Sequence, residues 1–397
     1  MISVEQAFDR IVVDAKPLPT ERIEVAKSSG RVIAAPIAAR RSQPAADMSA
    51  MDGYAVASSD LASRETKFTV IGQSAAGHPF GKPVQKGQAV RIFTGAVVPE
   101  GADQVVIQEN VEVFEGGITT AVKPKPGGNI RPMGIDFAEN QTVMDAGTYM
   151  SAKSIGLAAS AGQAHLMVHR RPRVAILSTG DELAAPDKAH FSPYDTVNSS
   201  GPQITALVEE CGADVCFVGQ AGDTLDALTA AIRNNADADI LVTIGGVSVG
   251  DKDFVQEALK AEGMELNFWK VAMRPGKPLV FGKRPGQSVL GLPGNPASAF
   301  VCALLFLRPL IDKLMGRPAP FPAGVQLPVA TDLAANGSRQ HYIRARLIGE
   351  PGERMVDPAA SQDSSLSTVL AQCDGLIIRP VDGAAVSAGS SVAFLPF

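Results

Sequence analysis

The stretch Asp239–Phe254, DILVTIGGVSVGDKDF, constrains this chain more than any other. Ile240–Ile244 is an apolar run of strand character. It breaks into Gly245 and Gly246, passes Val247, Ser248 and Gly250, and leaves through Asp251 and Asp253 before a helical pattern begins. A strand feeding a glycine loop that feeds a helix aims backbone N–H groups at an anion. Carboxylates at the exit suit a hard cation such as Mg²⁺ shared with a phosphate. Two readings fit the stretch by itself: a phosphate-and-metal loop, or an ordinary strand–helix turn whose glycines only satisfy turn geometry. The rest of the chain has to decide between them.

A chain of 397 residues is too long for one core, so two to four domains are expected. Hydrophobic residues make up 45% and charged residues 19%, which is globular composition. The formal net charge of -5, with no long basic run, argues against nucleic acid as a main partner. The four cysteines, Cys211, Cys216, Cys302 and Cys373, lack metal-ligand spacing and fit reduced thiols. Cys211 and Cys302 fall inside apolar helical patterns and read as core residues. The opening MISVEQAFDRIVVDA has no basic segment followed by an apolar one, so no signal peptide is read there. The longest apolar run, near Ala297–Leu307, is too short to span a bilayer. These features predict a soluble cytoplasmic protein with no membrane partner.

In chain order, Ser3 opens an amphipathic helix with Val4, Ala7, Phe8 and Ile11 on one face. From about Arg22 to Val143 short apolar runs alternate with Gly/Pro turns and read as β. Three polar interruptions lie there: SAMDGYA with Asp52, RIFTGA with Thr94, and NIRPMGID with Asp136. Each sets an Asp or Thr beside a glycine, where loops carry function, although a turn side chain bonding its own backbone explains each singly. Ala152–Ala161 reads as a second helix. His165–Arg173 reads as a connector, and His165 with His169 lacks the third ligand of a metal site.

Arg173–Arg317 alternates strand and helix, an α/β, doubly wound pattern. Ligands in such folds sit beyond the carboxyl ends of the strands. Thr179 and Gly180 with Glu182, then Asp223, then the opening loop, then the turn Leu292–Pro296 with Pro293, Gly294 and Pro296, all fall at such ends. That convergence favours the anion reading over isolated turn chemistry. Lys270 and Arg274, just before a PGKP turn, supply cations, and cations with carboxylates suit an anionic substrate bridged by a divalent metal. After the proline-rich Arg317–Pro322, the last part reads as a small β domain or barrel carrying Arg344 and Ser364. Walker A, GxSxG, HExxH and CxxC sequences are absent, which disfavours ordinary P-loop, serine-hydrolase, zincin and thioredoxin readings.

The series SAMDGYA, RIFTGA, RPMGID, STGDEL, GGVSVGDKDF, MRPGKP and LPGNP, in this order from Ser49 to Pro296, resembles the molybdopterin molybdenumtransferase family, also called the MoeA or gephyrin E-domain family. The resemblance covers essentially the whole chain. It implies four subdomains: a mixed one from 1–44 and 137–168, an inserted β subdomain over 45–136, an α/β molybdopterin-binding domain of adenylyltransferase-like fold over 169–318, and a C-terminal β barrel over 319–397. It implies a homodimer whose cleft lies at the dimer interface, with transient contacts to the molybdopterin adenylyltransferase and to acceptor molybdoenzymes. The implied reaction takes molybdate and adenylyl-molybdopterin, uses Mg²⁺, and releases AMP. Carried over motif by motif, the catalytic set is Asp52, Thr94, Asp136, Glu182, Asp223, Asp253, Lys270, Arg274, Arg344 and Ser364. Asp223, Asp251 and Asp253 are the candidate metal ligands. Thr179, Gly180, Gly245, Gly246, Val247, Ser248, Gly250, Pro293, Gly294 and Pro296 would hold the cofactor. Arg274 departs from the lysine common in the family, a planar fork in place of a point charge.

Overall fold

The computed structural model describes residues 1–62, 64–246 and 254–397. Val247, Ser248, Gly250, Asp251 and Asp253 lie outside the described residues. The chain divides into two compact units, Met1–Glu21 with His169–Phe397, and Arg22–Val168.

The first unit is built on a six-stranded sheet. Its strands are β1 (Arg173–Thr179), β2 (Asp214–Ala221), β3 (Ile240–Ile244), β4 (Glu265–Trp269), β6 (Val280–Arg284) and β7 (Gln287–Leu292), with a two-residue strand β5 (Met273–Arg274) lying outside that sheet. The sheet order is β2-β1-β3-β7-β6-β4. β1, β2, β3 and β7 pair in parallel, whereas β6 is antiparallel to both β7 and β4. Two antiparallel steps restore the direction, so β4 ends at the same edge as β1 and β3. The chain leaves β1 for one side through β2 and for the other through β3, which makes the β1/β3 carboxyl edge the topological switch point.

Alternate residues of β1 face opposite layers, as a period of two requires. Val174 and Ile176 pack with Ile204, Leu207, Val208 and Cys211 of the segment Ser200–Cys211. Ala175 and Leu177 pack with Leu228, Ile232, Val255 and Leu259 on the other face. Both faces of the sheet are thus covered, so the middle of β1 and most of β3 are apolar. Asp239 pins the amino end of β3. Its carboxylate takes two 2.6 Å bonds from Arg170 and one of 2.8 Å from the Arg173 N–H.

The first helix, Val4–Val12, has the capping box formed by Ser3 and Gln6. Val4, Ala7, Phe8 and Ile11 are buried in the same core as β1, β3 and the helix Arg308–Leu314. Sequence reading assigned residues 1–44 to the mixed subdomain, whereas residues 1–21 cluster with the α/β unit. The reason is the apolar stripe itself, which is covered by Leu310, Ile311 and Leu314. His165–His169, expected as a connector, is a strand paired with Thr20–Glu24.

The same unit carries the C-terminal β sheet: β8 (Val325–Pro328), β9 (Gln340–Ile348), β10 (Met355–Pro358), β11 (Gly375–Arg379) and β12 (Ser391–Pro396). The order is β5-β9-β11-β12-β8, with β10 on β9. One face of β9 sends Tyr342 into the α/β core, and the other packs Ala345 with Ile377 and Phe394. The second unit holds a six-stranded sheet in the order Gln104–Ile107, Gly53–Val56, Gln88–Ile92, Thr66–Ser74, Gly117–Thr120 and Glu112–Phe114.

Candidate functional site

A cavity of about 710 Å³ opens at the switch point. Its lining draws on all three central strand ends: Ser178, Thr179, Gly180 and Glu182 at the end of β1, Ile244, Gly245 and Gly246 at the end of β3, and Gly294, Asn295 and Pro296 after β7. Thr179 is buried and its hydroxyl donates to the Ile244 carbonyl at 3.3 Å, tying β1 to β3. The Gly245 N–H donates to the Leu292 carbonyl at 3.0 Å, tying β3 to β7. Gly246 has φ +60°, and a Cβ there would stand 2.1 Å from Val255 Cγ2 and 3.0 Å from Thr179 Oγ1. Only glycine lets the backbone turn this closely under the cavity floor.

The opposite wall was not read from sequence. Asn198, Ser199 and Ser200 line the cavity where the 11-residue helix Ser200–Glu210 begins. Asn198 Oδ1 accepts from the Gly201 N–H at 3.0 Å and from the Ser178 hydroxyl at 3.3 Å, so it joins the helix start to β1. A helix start with hydroxyl donors beside glycine-bent backbone is an anion-accepting arrangement. These residues lacked a sequence signal because small polar side chains are common before any helix; only the strand–helix order could have pointed to them.

Two acids face this space, Glu182 and Asp223. Asp223 and Asp181 clasp the ends of β1 and β2 reciprocally: the Asp223 N–H donates to Asp181 Oδ1 at 3.0 Å, and the Asp181 N–H to Asp223 Oδ2 at 3.4 Å. Among the described residues no group of three His, Cys, Asp or Glu could hold a metal ion. The described residues alone therefore do not make the expected Mg²⁺ site, since Asp251 and Asp253 lie outside them.

Arg344 and Ser364 belong to one packed arrangement beside the cavity. Sequence placed Arg344 toward an anion; its side chain is 1% exposed. Its guanidinium donates to the carbonyls of Asp363 at 2.9 Å and Leu366 at 3.5 Å, and burial pulls its pKa down. Ser364 takes a 2.8 Å bond from Asn295 Nδ2, and its carbonyl accepts from the Ala297 N–H at 3.1 Å. Arg344 thus stiffens a serine loop that docks on the LPGNP turn and brings Ser365 and Ser367 to the cavity.

Lys270 and Arg274 do not line the cavity. Lys270 follows β4, at the same sheet edge but three strand spacings from β3, about 14 Å away. It has φ +70°, and its ammonium lies 3.7 Å from the Trp269 ring centroid. Arg274 is exposed on β5 and pairs in register with His341 of β9.

In the second unit the three polar interruptions come together. The Ser49 N–H donates to the Ala96 carbonyl at 2.9 Å, and the Ala50 N–H to the Asn129 carbonyl at 2.9 Å. Met48–Ser49 pairs with Ile130–Arg131. Asp52 Oδ1 accepts from both the N–H and the hydroxyl of Thr94, each at 2.8 Å. Those two bonds hold the Asp52 carboxyl below the usual carboxylate range. Asp136 is exposed, with its N–H bonded to the Gln43 carbonyl at 3.0 Å.

Comparison with known proteins gives this arrangement a family. Residues 2–162 match the MoeA N-terminal region (domain I and II), residues 175–313 a probable molybdopterin binding domain, and residues 326–397 the MoeA C-terminal region (domain IV). A molybdopterin molybdenumtransferase of Haemophilus influenzae is 36% identical, over 100% of this chain and 99% of that protein. One from Bacillus subtilis is 33% identical, over 99% and 94% respectively. The crystal structure of a molybdopterin biosynthesis MoeA protein from Pyrococcus horikoshii superposes with a TM-score of 0.86 at 26% identity, covering 100% of this chain and 99% of that one. The chain belongs to the molybdopterin molybdenumtransferase family.

Proposed function

We propose that this protein is a transferase of molybdenum cofactor biosynthesis that inserts molybdenum from molybdate into adenylyl-molybdopterin and releases AMP. The observation that carries the reading is the switch-point cavity, where three strand ends and a helix start meet around glycine-bent backbone. Such a cradle suits a nucleotide phosphate. Thr179 and Asn198 fix its walls, the helix start at Ser199 and Ser200 supplies donors, and the serine loop held by Arg344 bounds it from the C-terminal sheet. Lys270 and Arg274, farther along the same edge, are cations suited to an oxyanion. The reading therefore assigns the AMP half to the strand ends and the molybdenum half to the cationic end.

Mg²⁺ belongs to the proposal as a dependence, with Asp223, Asp251 and Asp253 as its candidate ligands. Bound there, it would draw charge from the phosphoanhydride as the bond breaks. The proposal extends to a cytoplasmic homodimer in which Asp52, Thr94 and Asp136 serve the partner chain's substrate. Mixing Asp52→Ala chains with Asp223→Ala chains tests this, because a shared site regains part of its activity in the mixed dimer.

The decisive experiment follows AMP release from adenylyl-molybdopterin with molybdate, with tungstate and with neither. Release that depends on the oxyanion supports the transferase. Formation of adenylyl-molybdopterin from molybdopterin and ATP would instead favour an adenylyltransferase. AMP binding without turnover would leave a nucleotide-binding module or scaffold.

A further inference from the structure

One wall of the strand-end cavity is a single turn that carries an acid. Gly180, Asp181, Glu182 and Leu183 follow β1, and Gly180, Glu182 and Leu183 line the cavity. The Leu183 N–H closes the turn on the Gly180 carbonyl at 3.3 Å. Gly180 has φ +145°, and a Cβ there would stand 2.7 Å and 2.8 Å from the two Glu182 carboxylate oxygens. The carboxylate thus folds back against the Gly180 backbone. Among the described residues no donor holds either of its oxygens. Its place is therefore set by the turn beneath it.

That turn is gripped from the neighbouring strand. β2 is an edge strand of the sheet, and its alternate residues Asp214, Cys216, Val218 and Gln220 are exposed. Gln220, the last of this row, donates from Nε2 to the Gly180 carbonyl at 3.2 Å and to the Leu183 carbonyl at 2.9 Å. One nitrogen bridges both ends of the turn with its two protons. A hydroxyl has one proton to give and a carboxylate none, so neither makes both bonds. The Asp181–Asp223 clasp holds the same turn, but through carboxylates, whose bonds weaken when a proton or a cation claims them. The Gln220 amide is neutral and keeps its grip in either case.

We propose that Gln220 is a positioning residue for Glu182, acting through the two turn carbonyls. The inference rests on the transferase reading, which counts Glu182 among the acting groups. A displacement of about 1 Å at a reacting group can cost on the order of 100-fold in rate, and Glu182 has only the turn to prevent one.

The test follows molybdate-dependent AMP release from adenylyl-molybdopterin by the full chain. Gln220→Met should lower kcat about tenfold and move KM by less than about twofold, because the turn loosens while the rest of the cavity stays. Gln220→Glu reads the same contact through pH. Its protonated carboxyl donates to one carbonyl, whereas its carboxylate faces two carbonyls and repels them. Its rate relative to wild type should fall as pH rises past the ordinary glutamate value of ~4.3, while the Gln220→Met ratio stays flat. In a Glu182→Gln background Gln220→Met should cost less than about twofold, since the group it positions is gone. Equal losses in the two backgrounds, or a flat Gln220→Glu ratio, would overturn the proposal; where Glu182→Gln is too slow to follow, the pH ratio decides. Amide exchange at Leu183 and Thr196 needs no substrate and should be at least about fivefold faster in Gln220→Met. If wild type releases no AMP with molybdate while that exchange quickens, the transferase reading falls and Gln220 still holds the turn. Unchanged exchange sinks the Gln220 inference whatever the turnover.

Discussion

The strand-end cavity and the cationic row lie in one compact unit, yet they are built on opposite principles. The cavity is lined by glycine backbone, hydroxyls and amides, and its described charges are the acids Glu182 and Asp223. The row is made of Arg274, Arg339 and Arg379 about His341, with no described acid among them. The first offers an anion backbone dipoles and leaves room for a metal beside it; the second offers only full positive charges. A substrate with a nucleotide at one end and an oxyanion at the other needs this division. If the arginines lined the cavity, they would compete with Mg²⁺ for the same phosphate oxygens.

The sharpest way to break the comparison is Gly246→Ala. The new methyl meets Val255 at 2.1 Å, and φ +60° is strained for alanine. AMP affinity should fall by about 100-fold, roughly 3 kcal/mol, while molybdate affinity stays within about twofold. Calorimetry with each ligand checks both halves; equal losses would merge the two sites into one. Arg344→Ala should cost about 2–4 kcal/mol in urea unfolding, because the carbonyls of Asp363 and Leu366 lose a buried donor. Arg344→Lys should recover little, since one ammonium cannot reproduce the fork.

A smaller effect separates the row through pH. The His341 pKa lies near 4 in the folded chain against 6.5 for the free group. A depressed pKa means the unfolded chain binds the proton first as pH falls. The contribution to stability is therefore complete above about 6.5 and is lost on the way down to about 4. The charges facing it are Arg274, Arg339, Arg379 and Arg344. His341→Asn should flatten the stability profile between these values, measured as urea midpoints across pH. Smallest of all, Gly294→Ala should leave AMP affinity within about twofold. Its methyl would meet nothing nearer than the Gly245 Cα at 3.7 Å.

Much of the α/β unit was legible because its signals are local. The run Ile240–Ile244, the face formed by Ile204, Leu207, Val208 and Cys211, and the ends at Thr179 and Pro296 follow from periodicity and turn chemistry. What could not be read was long-range. Nothing local says that Phe8 and Ile11 share a core with Leu310 and Leu314. Arg344 entered the candidate set only through the family resemblance, and nothing local told that alternation on β9 sets it inward with Tyr342. The row of Arg274, His341 and Arg379 depends on the register of three strands distant in sequence. Asn198 and the serines of the cavity wall are too ordinary to stand out singly.

On the proposed function, AMP and molybdate bind side by side at two separate ends. Titrating AMP into the full chain with and without saturating molybdate tests this most directly. Two separate ends predict an AMP dissociation constant within about twofold in the two titrations. Displacement of AMP by molybdate, with the constant rising in proportion to molybdate concentration, would contradict it.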